Sequence, residues 1–192
     1  MRVLFETPLA FRGGTWFRCF YLARALVQRG HDVTLVKTSV ERRVTVNSFV
    51  ENGVRVLETP RFWGWRFTHM GTRLPSDLAV RLGHLLGSRS DVVHSFAHHW
   101  NSAGVGLIAR NLPWHGPLVA DWDDLWTDGG LMGSRPVEGL AAKLAYDLDH
   151  AAEKTLKTRA DAVTVVSEDL RRRAIRDGVR AERILVLGNG AP

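Results

Sequence analysis

Two glycines and a cluster of acids carry most of the chemistry this sequence offers. Gly13 and Gly14 follow a short apolar run, Met1 to Glu6, and precede a stretch of helical periodicity. Glycine lets backbone approach a ligand closely, and the first amides of a helix have no partner within it, so a phosphate suits this place. A turn that only needs positive φ is the plainer reading of the same pair. Farther on, VADWDDLW sets Asp121, Asp123 and Asp124 around Trp122 at the end of an apolar segment, with Trp126 close behind. Such carboxylates can accept hydrogen bonds from sugar hydroxyls or take the proton of an attacking hydroxyl, and indole faces suit sugar rings. The same acids also serve as caps and turn formers. In DVVHSFAHHW, His94 falls inside an apolar run and reads as structural, whereas His98 and His99 lie beyond it, where a substrate hydroxyl can be met. Their spacing is not that of a helical H-E-x-x-H pair, so a polar lining is preferred to a metal.

These residues need elements to position them. Met1 to Glu6, Thr15 to Arg29 and Asp32 to Val36 read as a β-α-β unit, with Thr15 as a helix cap and Gly30 past the helix end. Phe17, Phe20, Tyr21, Leu22, Ala25 and Leu26 form its apolar stripe. Val40 to Val50 reads as a short helix or an irregular crossover, and Val54 to Glu58 as a third strand. Ser76 is placed to cap a helix ending near Gly87, and strands follow at 91–95, 118–121, 162–166 and 183–187. A helix from about Pro136 to Thr158 has Leu140, Leu144, Leu148, Ala151, Ala152 and Leu156 at helical spacing. Ser167 caps a helix that Gly178 stops. Alternation of this kind predicts one α/β domain: a doubly wound, mainly parallel, Rossmann-like sheet of about seven strands.

Charge and sulfur narrow the partners. A net charge of +6 favours an anionic one. The arginines are scattered and no recognition motif occurs, so nucleic acid is disfavoured. Cys19 is the lone cysteine, which rules out an internal disulfide, and it reads as an inert core residue. No apolar run is long enough to span a bilayer and the N-terminus lacks a signal pattern, so a cytoplasmic protein is expected. The segment from Arg61 to Arg73 mixes Phe62, Trp63, Trp65 and Phe67 with Arg61, Arg66 and Arg73. Such a loop suits an acceptor pocket or a peripheral contact with anionic lipid, or else folds its aromatics onto its own domain. No G-x-G-x-x-G, G-x-S-x-G, P-loop or C-x-x-C pattern is present.

Taken together, GGTWFRCFYLARALVQRGHDVTLV, DVVHSFAHHW, PLVADWDDLW and ADAVTVVSEDLRRRAIRDGVRAERILVLGNGAP resemble the N-terminal domain of GT-B glycosyltransferases of the glycosyltransferase 4 type. The resemblance implies retaining transfer of a sugar from a nucleotide-sugar to an acceptor hydroxyl, in a cleft between two Rossmann-like domains. This half, residues 1–187 with a linker starting at 188–192, would bind the acceptor, and the C-terminal, donor-binding domain would be absent. By the same resemblance Gly13, Gly14, Thr15 and Arg18 approach the donor phosphates. Asp123 and Asp124 are the catalytic candidates. His98, His99, Trp122, Trp126 and Arg66 face the acceptor, which is a sugar, a lipid-linked molecule or another small molecule. Relatives often carry T-x-H-D where this chain has Asp121, Asp123 and Asp124, so a carboxylate stands in place of the imidazole. No metal or cofactor is implied beyond the nucleotide-sugar as co-substrate. Alone, the chain is expected to be inactive. The competing expectation is a stand-alone sugar- or phosphate-binding module with the same fold and no catalysis.

Overall fold

A computed structural model of the protein describes residues 1–8, 14–41, 43–61, 75–130 and 139–189. In chain order the elements are β1 (Arg2–Glu6), α1 (Gly14–Gln28), β2 (Asp32–Thr38), β3 (Asn47–Glu51), β4 (Val54–Thr59), α2 (Pro75–Gly87), β5 (Val92–Phe96), α3 (Val105–Arg110), β6 (Leu118–Trp122), α4 (Leu140–Thr155), β7 (Ala162–Val165), α5 (Glu168–Arg176) and β8 (Ile184–Val186). They form one eight-stranded sheet in the order β3-β4-β2-β1-β5-β6-β7-β8. Every neighbouring pair is parallel except β3 with β4. The chain winds outward from β1 to β4, returns to β5 beside β1, and winds outward the other way. Loops leaving β1 and β5 therefore diverge, and the carboxyl edge between them is a topological switch point.

The expected α/β architecture is present with one strand more than anticipated. That strand is β3, in the region read as a helix or an irregular crossover. Asn52 and Gly53 have φ of 50° and 81°, and positive φ at both central residues is what a two-residue I′ hairpin turn requires. Gly53 also abuts α1: a Cβ there would lie 2.8 Å from Val27 Cγ1.

Period-two alternation divides the strand residues between two apolar layers. Val3 and Phe5 pack with Trp16, Cys19, Phe20 and Ala23 of α1. Leu4 points the other way, into the layer holding Leu85 of α2, Val105 and Ala109 of α3, and Leu170 and Ala174 of α5. The sheet is thus covered on both faces, as a doubly wound fold requires.

Helix ends and faces depart from expectation in several places. Ser167 does cap α5, accepting the Leu170 amide at 3.2 Å, and Gly30 and Gly178 take the positive φ of helix-terminating glycines. Thr15 and Ser76 instead lie inside α1 and α2, the latter opening at Pro75, whose missing N–H suits a first helical position. On α1, Phe17 and Tyr21 are exposed, stack on each other, and have Arg24 over the Tyr21 ring. On α4, Leu140, Leu144 and Leu148 are exposed as well, because the helix docks through its final turns, where Ala152 and Leu156 meet Ala103. Among the described residues no helix is long and apolar enough to cross a membrane.

Candidate functional site

Alternation along β6 sends Leu118, Ala120 and Trp122 into the α2–α3–α5 layer, so Asp121 faces α1. Arg18, one turn into α1, meets it with a two-pronged bond: Nε to Oδ1 at 2.9 Å and Nη2 to Oδ2 at 2.8 Å. Thr164 of β7 donates to the same carboxylate at 2.5 Å, and Arg18 Nη1 reaches Asn189 Oδ1 at 3.0 Å. Arg18 and Asp121 are both buried. A buried carboxylate without a counter-charge is costly, and Arg18 supplies the charge. The placement of Arg18 toward donor phosphates is thereby corrected: its fork is committed to Asp121 and ties α1 to the segment leaving β8. Nearby His94, at 4.0 Å from Asp121 Oδ2, is driven by burial down to about 4 against the pull of that carboxylate, and is neutral at pH 7.

Asp123, two residues on, is only 7 % exposed. The Thr15 side chain, at the start of α1, hydrogen-bonds its carboxyl group, while Oδ1 has no hydrogen-bond partner among the described residues. Burial pushes its pKa up to about 7; Asp121 and Asp124 add to the rise, and the Thr15 bond opposes it. Asp124 is exposed, with a pKa raised by the part of it that is desolvated. Of the residues expected to act together, the structure brings together Thr15, Arg18, Asp121 and Asp123.

The aromatic and histidine expectations fare differently. Trp122 and Trp126 are buried, so neither offers a face to a sugar. Trp122 Nε1 donates to Glu153 Oε1 at 3.0 Å and has Lys157 Nζ 4.1 Å above its ring. Trp126 packs edge-on to His99 at 5.3 Å. His98 is buried beside Trp122, and neither ring nitrogen has a hydrogen-bond partner among the described residues. Burial first, and then the charges of Lys157 and His99, hold its pKa well below the usual imidazole range. His98 and His99 therefore sit beneath the surface rather than on an open crevice. Gly14 is exposed, and no atom of the described residues lies within 4 Å of where its Cβ would be. Gly13 and Arg66 lie outside the described residues, as do most of the Arg61–Arg73 loop and residues 131–138.

Two arrangements escaped the sequence reading. Glu153, on the last turn of α4, gathers the loop after β6: besides Trp122 it accepts the amides of Trp126 at 2.8 Å and Thr127 at 2.7 Å and the Thr127 hydroxyl at 2.5 Å. Arg81 does the same for the other half of the carboxyl edge, with bonds to Glu6 at 2.5 Å, Asp77 at 3.0 Å, the Thr7 carbonyl at 3.0 Å and Thr38 at 3.1 Å. Asp77 in turn accepts from Thr59 and, at 2.7 Å, from Asn101 in the π-helical turn Trp100–Gly104. Burial raises Glu6 to about 8, although Arg81 pulls it down. The ends of β1, β2 and β4 are held to α2 by this network. Among the described residues no three His, Cys, Asp or Glu side chains are grouped to hold a metal ion.

Comparison with known proteins adds a class to this geometry. The glycosyl transferase 4-like domain family matches residues 13–190. No curated protein matches the sequence. Among solved structures, a sucrose-phosphate synthase from Thermosynechococcus elongatus superposes with a TM-score of 0.65 at 15 % identity, over 99 % of this chain and 48 % of its own. A UDP-GlcNAc 2-epimerase from Methanocaldococcus jannaschii gives 0.60 at 15 %, over 98 % and 46 %. HepE from Anabaena, in complex with UDP, gives 0.56 at 17 %, over 100 % and 44 %. This chain thus spans less than half the length of each. At these identities the likeness is one of fold.

Proposed function

This chain belongs to the glycosyl transferase 4-like domain family, and from that premise we propose that it is the acceptor-binding side of a retaining glycosyltransferase that uses a nucleotide-sugar. The observation that carries the reading is Asp123: a buried carboxyl group just past the end of β6, held by Thr15, with one oxygen unpartnered among the described residues. In the proposed reaction the acceptor hydroxyl donates its hydrogen bond to that free Oδ1. The hydroxyl oxygen bonds to the anomeric carbon, the bond from that carbon to the donor's diphosphate breaks, and the hydroxyl proton passes to Asp123. A pKa near 7 suits a group that must be ionised to accept this proton and close enough to neutrality to hold it. Asp124, exposed beside it, is proposed to bind a neighbouring sugar hydroxyl.

Charge accounting supports a second lobe on the donor side. A departing diphosphate needs cations arranged in advance. Three buried cations near the carboxyl edge are already committed: Arg18 to Asp121, Lys37 to Glu58 at 2.6 Å, and Arg81 to Glu6 and Asp77. We therefore assign the nucleotide and diphosphate to a further domain of the kind that the greater length of the structural relatives leaves room for, and expect this chain alone to be inactive. A cytoplasmic setting accompanies the proposal.

The test is an assay of the protein in its full natural length for nucleoside diphosphate release, with nucleotide-sugars and sugar or lipid-linked acceptors, and for product configuration by NMR. Transfer with retention, reduced about 10²- to 10⁴-fold by Asp123→Asn, is the expected result. Saturable sugar binding without any transfer would replace this reading by that of a binding module.

A further inference from the structure

The last turns of α4 and α5 border a half-open cavity of about 160 Å³ that sugar transfer does not use. Lys154 and Lys157 reach it from the end of α4, and Arg173 and Arg176 from the last turn of α5. The Trp122 ring, with the buried Lys157 above it, forms part of its wall.

Three acids also border the cavity, and each is engaged. Glu153 accepts one bond from Trp122 and three from the loop after β6, Asp177 pairs with Lys157 at 2.9 Å, and Asp128 lies 3.1 Å from His150. The side chains of Lys154, Arg173 and Arg176, by contrast, make no ion pair or hydrogen bond among the described residues. A cation near the final carbonyls of a helix is favourable by itself, which accounts for either arginine singly. It does not account for two arginines converging with Lys154 of another helix around a hollow, three cations without an ion pair among the described residues.

We propose that this cavity binds a phosphate monoester. Arginine forks match the oxygens of a phosphate in pairs, and Lys154 adds a point charge, while Lys157 stays with Asp177. The volume lies below the roughly 300–1,000 Å³ of pockets that hold drug-sized molecules, so the guest is a single phosphate group with a short substituent, and a nucleotide is too large. That chemistry is available from a soluble phosphate ester or from the headgroup of a phosphatidic acid-like lipid. The inference is independent of glycosyl transfer.

The experiment follows ¹⁵N-labelled protein by NMR during titration with inorganic phosphate and with glycerol 3-phosphate at constant ionic strength. Saturable shifts confined to Thr127, Asp128, Lys154, Lys157 and residues 173–177 are expected. Arg173→Gln and Arg176→Gln should each weaken binding about tenfold, which is about 1.4 kcal/mol for the loss of one charge-assisted hydrogen bond. Both arginines are at least partly solvent-accessible, so unchanged melting of the variants will show that the fold is kept. Co-sedimentation with phosphatidic acid vesicles, against phosphatidylcholine vesicles, separates the sources: selective retention lost in the double variant identifies a lipid headgroup, and saturation by glycerol 3-phosphate alone identifies a soluble ester. Shifts that chloride reproduces equally, or phosphate binding that the double variant leaves intact, would overturn the proposal.

Discussion

Replacing Asp123 by asparagine should stabilise the protein at alkaline pH while removing the proposed proton acceptor. Burial raises the carboxyl pKa from 3.8 to about 7 in the folded protein. The folded state therefore holds a proton that the unfolded chain releases, and stability contributed by this group falls as pH rises from about 4 to about 7. Each tenfold change in proton affinity is worth about 1.4 kcal/mol, so the full penalty above pH 7 is about 4 kcal/mol. Asparagine keeps the shape and can still accept from Thr15, but it has no charge to desolvate. Urea unfolding of both proteins from pH 4 to pH 9 gives the difference in stability at each pH. That difference should be near zero at pH 4, grow through the interval and level off above pH 7, with the variant the more stable. Glu6, raised to about 8 by burial, steepens the decline of both proteins in the same sense and cancels in the difference. A difference that stays flat with pH would mean that Asp123 is not desolvated as described.

Other consequences can be checked with ordinary biophysics. Arg18→Met leaves Asp121 buried without its counter-charge and should cost about 3–5 kcal/mol in urea unfolding, whereas pairing it with Asp121→Leu should recover much of the loss. Glu153→Ala leaves the Trp126 and Thr127 amides without their acceptor, and hydrogen exchange at those two amides should accelerate by at least tenfold relative to β5. Cys19 is buried, with its thiol pKa raised by desolvation, so a thiol reagent should react only as fast as the protein unfolds.

How far the sequence revealed this molecule depends on what each signal measures. Period-two and helical patterns report which segments alternate, and these predicted the parallel strands and α5 with its Ser167 cap and Gly178 stop. The β3 hairpin was also written there, in an Asn-Gly pair between β-prone residues; the polar character of the residues before it concealed it. Burial of polar groups was not legible, because a charge looks the same in sequence whether it faces water or a partner. Asp77 and Arg81 are four apart on α2, a spacing common on solvated helix faces, yet both are fully buried against Glu6 from β1. Trp122 and His98 show the converse: placement at a strand's carboxyl end suggests exposure, but a large side chain at such an end can turn down into the helical layer. On α4 the leucine spacing was real, but the contacts of the final turns decided which part docked. The place of Asp123 just past a strand is legible in the sequence; that its neighbour Asp121 would pair with Arg18 depends on a contact 103 residues apart.

The pH dependence of sugar transfer by the full-length protein, measured for the wild type and for Asp123→Asn, tests the assignment of Asp123 most directly. The wild-type rate should rise as Asp123 ionises through about pH 7, and the slow variant rate should lack this rise. An asparagine variant that transfers sugar at the wild-type rate, with the same profile, would contradict that assignment.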